Sequence, residues 1–82
     1  MATPLSLIDQ AVIITLRGLQ GERDVSNVFL VAETGIEPHT LIRILKARRE
    51  VTIGELKLLA TALGTTPAAI VATADARVGS LA

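Results

Sequence analysis

The residues with chemistry to offer lie close together. From Pro38 to Arg49 the chain carries four cationic side chains, Arg43, Lys46, Arg48 and Arg49, and no acidic one. Such a stretch suits a polyanion, because each phosphate neutralised by Lys or Arg releases condensed counterions. The Arg43 guanidinium has the fork geometry to bond guanine O6 and N7 in a major groove. His39 lies one helical turn before it, so both can point to the same side. Between them Thr40 offers a hydroxyl to a phosphate or a methyl to thymine. The plain alternatives are a solvated basic loop and an exposed arginine, histidine and threonine without a partner.

Other chemistries find little support. There is no cysteine, and His39 is the single histidine, which excludes thiolate sites and histidine clusters for metals. Glu33 and Glu37 are separated by a turn and have no second catalytic group, so they make no acid/base pair. No phosphate-binding glycine loop and no nucleophile constellation occurs. The expectation is a non-enzyme without cofactor. Phe29 is the single aromatic residue, which disfavours single-strand recognition by base stacking. Net charge is zero, so any polyanion must be met by local charge. Half of the 82 residues are apolar, which excludes a wholly disordered chain. The length suits a single domain, residues 1–82, burying roughly 60% of the unfolded surface, so a dimer would help. The leader has no positive charge and Asp9 interrupts the first apolar stretch. No signal peptide or membrane span is therefore expected, and the default location is cytoplasmic.

The elements that must position the cationic stretch follow in chain order. Thr3-Pro4 reads as an extended lead-in. Ser6 and Asp9 have capping-box spacing, opening helix 1 from about Leu7 to Leu19. Leu5, Ile8, Val12, Leu16 and Leu19 form one face of it, and Leu7, Ala11, Ile14 and Gly18 a second. Either the terminal helix covers the second face, or Leu7, Ala11 and Ile14 are dimer contacts. The glycines at 18 and 21 and the charges up to Asp24 predict a helix end by about Gln20 and a solvated loop. Ser26 caps helix 2, whose residues Val28 to Ala32 are all apolar and predict a well-buried element. Gly35 closes it and Ile36 anchors the turn. Helix 3 starts at Pro38 with Glu37 as N-cap, and turns Leu41, Ile44 and Leu45 inward. Thr52 to Glu55 is a second capping box, opening helix 4 with Leu56, Leu59, Ala60 and Leu63 inward and Gly64 as its stop. Thr66-Pro67 starts helix 5, and from about Asp75 to residue 82 the signal fades into a flexible tail. The stretch from about 26 to 46 thus has the outline of a helix-turn-helix, whose second helix enters the DNA major groove.

From about Val25 to Ala72 the chain resembles the lambda-repressor/Cro type of helix-turn-helix domain, the XRE-like family. The residues that carry the likeness are Ser26, Leu30-Val31, Thr34-Gly35-Ile36, Pro38–Lys46 and the segment Leu56 to Pro67. The resemblance implies an all-α, compact bundle of about five helices that binds double-stranded operator DNA as a two-fold dimer. It implies base contacts from His39, Thr40 and Arg43, with Pro38 standing where the family often has a base-reading side chain. It implies phosphate contacts from Ser26, Asn27, Lys46, Arg48 and Arg49. Three such cations give a log–log salt slope of about −3 per subunit. Ala47 replaces a frequent glycine after helix 3, which predicts a more helical loop. The function so implied is transcriptional control of the phage Cro or immunity-repressor kind, at the nucleoid. The alternative is an antitoxin-like module, or an adaptor without DNA, that grips a protein partner with the apolar faces of helices 1 and 5.

Overall fold

The computed structural model describes residues 5–81, and the Thr3-Pro4 lead-in lies outside them. Among the described residues the regular structure is all α-helical: α1 (Leu7–Glu22), α2 (Asn27–Thr34), α3 (Pro38–Leu45), α4 (Ile53–Ala62) and α5 (Pro67–Leu81). No single helix among them is long and apolar enough to cross a membrane.

Each helix begins at a side chain that satisfies an orphan amide. Ser6 accepts from the Asp9 N–H at 3.2 Å, and its hydroxyl donates to the Asp9 carboxylate at 2.7 Å. At α4 the reciprocal pair is complete: Thr52 accepts from the Glu55 N–H, and Glu55 accepts from the Thr52 N–H. Thr66 accepts from the Ala69 N–H, and Pro67 follows as the first residue of α5.

The helix ends share a second device. After α1, α3 and α4 one residue enters the left-handed region: Asp24 (φ 53), Ala47 (φ 56) and Gly64 (φ 74). In each case the next residue's N–H reaches back to the last turn, Val25 to Gln20 (3.0 Å), Arg48 to Arg43 (2.8 Å) and Thr65 to Ala60 (2.9 Å). This is the Schellman pattern, which pairs carbonyls that would otherwise be left open. It corrects the expected end of α1. Gly18 and Gly21 are accommodated inside the helix, which runs to Glu22 and is stopped by Asp24.

The core joins all five helices: Ala11, Val12 and Leu16 from α1, Leu30 from α2, Leu41 and Leu45 from α3, Leu56, Leu59 and Ala60 from α4, and Ile70 and Ala74 from α5, with Ile36 and Leu63 from the turns. Its main seam is α1 against α5, while α2 packs on α3 and α4. The expected tail is helical instead: α5 continues to Leu81, and Val78 packs on the core one turn beyond Ala74. Two further expectations about burial change. Ile13, in neither expected stripe of α1, is fully buried, whereas Leu7, Ile8 and Ile14 remain exposed. In α2 only Leu30 and Thr34 are buried, and Val28 is 79% exposed.

Candidate nucleic-acid interface

The unit formed by α2, its turn and α3 is held by a buried hydroxyl. Thr34 Oγ1 donates to the Leu30 carbonyl (2.6 Å) and accepts from the Ile36 N–H (3.2 Å). Gly35 takes φ 72 and returns its own N–H to Val31. Ile36 is buried immediately after it. The turn is thus pinned by a hydrogen-bonded side chain, a left-handed glycine and an apolar anchor within three residues. Thr34 carries a positioning role that reading residue types alone did not reveal.

α3 presents one face inward and one outward. Leu41, Ile44 and Leu45 are buried, whereas His39, Ile42, Arg43 and Lys46 are exposed and Thr40 is half-buried. The helix start is occupied by Glu37. Its carboxylate accepts from the Thr40 N–H (2.9 Å) and the Thr40 hydroxyl (3.2 Å). Bonds from the His39 and Thr40 amides hold this carboxyl below its ordinary value. The Thr40 hydroxyl proton is therefore directed to Glu37, leaving its methyl and lone pairs for other contacts.

The neighbouring polar groups are oriented as well. Ser26 Oγ accepts from the Phe29 N–H (3.1 Å) at the start of α2. Asn27 Oδ1 accepts from Gln20 Nε2 (2.7 Å), so α1 holds the amide oxygen of this exposed residue. Beyond α3 the chain reverses at Ala47 in the left-handed region, and Arg48 is bonded back to the Arg43 carbonyl. The expected extra helicity of this loop is absent. Ala47 adopts the backbone that glycine usually supplies, at about 1–2 kcal/mol for an L-residue.

Lys46 and Arg48 are exposed, but Arg49 is only partly so. Its Nη1 donates to the Glu50 carbonyl (2.6 Å) and to Glu55 Oε1 (3.1 Å), and its Nη2 pairs with Glu55 Oε2. Burial alone would raise the Glu55 carboxyl, but the Thr52 N–H and the Arg49 guanidinium outweigh it and hold it below its ordinary value. One carboxylate therefore caps α4 and tethers the loop that follows α3. Among the described residues no group of His, Cys, Asp or Glu could hold a metal ion.

The family model of the Cro/C1-type HTH DNA-binding domain matches residues 15–75, about three-quarters of the chain. The chain belongs to that family. As a Cro/C1-type domain it is similar in structure to ClgR, described as the clp gene regulator of C. glutamicum. The TM-score is 0.78 at 26% identity, covering 95% of this chain and 97% of that one. A second ClgR structure, from Corynebacterium glutamicum, also gives 0.78, at 23% identity over 92% and 79%, a likeness of fold alone. No curated protein matches the chain. The matched span of this Cro/C1-type domain contains Ser26, Asn27 and every residue from Pro38 to Arg49. The structure gathers Ser26, Asn27, His39, Thr40, Arg43, Lys46 and Arg48 onto the α2–turn–α3 unit and the loop after it, and ties Arg49 back to α4.

Proposed function

We propose that the chain is a sequence-specific double-stranded DNA-binding transcriptional regulator of the Cro or immunity-repressor kind, with α3 in the major groove. The observation that carries this reading is the exposed face of α3. It offers His39 and Arg43 one turn apart, with Lys46 and Arg48 beyond them and no acidic residue from Pro38 to Arg49. Arg43 reads guanine and His39 a neighbouring base or phosphate. Thr40 contributes a methyl contact, because its hydroxyl proton is donated to the Glu37 carboxylate. Ser26, Asn27, Lys46 and Arg48 hold phosphates, and Arg49 positions their loop. Selection from random duplexes, followed by fluorescence anisotropy, tests this. An enriched sequence bound more tightly than the pool is the expected result. A folded protein that binds no duplex at low salt refutes it.

The regulator acts as a homodimer. Ala11 is buried, but Leu7 and Ile14 stay exposed, by 56% and 47%, and the three line a groove with Gln10, Arg77 and Ser80. A second copy seated there would bury these side chains, and a two-fold axis would set half-site spacing. Sedimentation of Ile14→Glu decides it: a monomer supports this face, and an unchanged dimer removes it. A wild-type monomer would favour the antitoxin-like alternative, a different protein in the same groove.

A further inference from the structure

We infer that the groove between the starts of α2 and α3 is a seat for thymine methyl groups, with Val28, Pro38 and Ile42 as its specificity-determining walls. The groove is lined by Asn27, Val28, Val31, Pro38, Leu41 and Ile42, and encloses about 350 Å³. Leu41 is fully buried and forms the floor, while Val28 and Ile42 stand 79% and 38% exposed at the walls. This inference rests on the reading that α3 faces DNA.

Folding accounts least for Val28, which loses rotamer freedom in a helix and, at 79% exposure, gains little burial in return, while Ile42 leaves 38% of its surface open beside it. Their place is what gives them meaning. Pro38 and Ile42 lie one turn apart on α3, and His39 and Arg43 form the adjacent row of the same helix, so the groove borders the face proposed to read bases. Thymine is the base that presents an apolar group, its C5-methyl, in the major groove. A phosphate or polar base edge placed among Val28, Val31, Pro38 and Ile42 would lose water and gain no partner. A methyl loses nothing there, and the Asn27 amide at the rim remains free to donate to an adjacent phosphate. Pro38, which cannot read a base by hydrogen bonding, gains a function as an apolar wall.

Uracil replacement tests this, since it deletes the methyl and leaves the base-pairing edge unchanged. In duplexes selected from a random pool, each thymine is replaced in turn by uracil. Binding is then measured by anisotropy at fixed salt for wild type, Val28→Ala, Ile42→Ala and Arg48→Ala. One or two thymines per half-site should each weaken wild-type binding about fourfold when replaced, the equivalent of one buried carbon. The loss should shrink toward none in Val28→Ala or Ile42→Ala and persist in Arg48→Ala. Both groove variants change exposed positions, and thermal melting confirms that they fold. Selected sites without thymine, wild-type binding indifferent to uracil, or an equal uracil loss in the groove variants overturns the inference and leaves DNA binding intact. A change in sedimentation on Ile42→Ala assigns the groove to a second copy and overturns it too. Failure to select any duplex overturns both readings.

Discussion

Arg48 and Arg49 are adjacent in sequence and should behave as different kinds of residue. Arg49→Ala removes a two-point pair with Glu55 and a bond to the Glu50 carbonyl. Exposed ion pairs contribute about 0.2–1 kcal/mol, and well-shielded hydrogen bonds to charged groups about 1.5–3 kcal/mol. With side chains 28% and 16% exposed, this pair lies between, so a loss of about 1–2 kcal/mol is expected. That corresponds to a fall in melting temperature of roughly 4–16 °C for a domain of this size. Arg48→Ala should leave melting nearly unchanged. The salt dependence of DNA binding separates the two in the opposite sense. Each phosphate contact contributes about 0.9 to the log–log slope, so Lys46 and Arg48 give about −1.8 per subunit. Arg48→Ala should halve this, and Arg49→Ala should leave it unaltered. The assay is anisotropy across a salt series on one selected duplex, with urea denaturation alongside. If Arg49→Ala flattened the slope as much as Arg48→Ala and cost no stability, the assignment of Arg49 to positioning would fail.

Three further outcomes follow from the same geometry. Ala47→Gly relieves a left-handed alanine and should stabilise the domain by about 1 kcal/mol in urea denaturation, and no gain would contradict the backbone described here. Thr34→Val keeps shape but leaves the buried Ile36 N–H without its acceptor, so a loss of about 1–3 kcal/mol is expected, largely restored in Thr34→Ser. Because the Glu55 carboxyl is lowered from 4.5 in the folded state, its contribution is present above pH about 4.5. It is lost as pH falls below that through the folded value, and Glu55→Gln should remove this part of the acid-induced loss.

Helix starts were legible in the chain because polar caps are local: Ser26, the Thr52–Glu55 pair and Thr66-Pro67 each announce themselves within four residues. Helix ends were less so. The left-handed caps at Asp24 and Ala47 use residues other than glycine, whereas the glycines at 18 and 21 sit inside α1. The last turns of α5 carry a signal of their own, the four-residue recurrence of Ile70, Ala74 and Val78, which the packing against the core uses. Burial of Ile13 and exposure of Val28 depend on which neighbours arrive, and no single-helix periodicity contains that. At the candidate interface, residue types marked the stretch from His39 to Arg49. What they could not convey is which polar groups are already engaged. Thr40 is bonded to Glu37, Asn27 to Gln20 and Arg49 to Glu55, partners three to seven residues away across caps and loops.

The most direct test of α3 as the reading helix is the base preference of Arg43→Ala, obtained by repeating the duplex selection and comparing specific with non-specific affinity. A bidentate contact to guanine carries about 1–3 kcal/mol of discrimination. One guanine position in each half-site should lose its preference while the neighbouring positions keep theirs. An unchanged preference at every position, with the variant folded and binding, would contradict that role for α3.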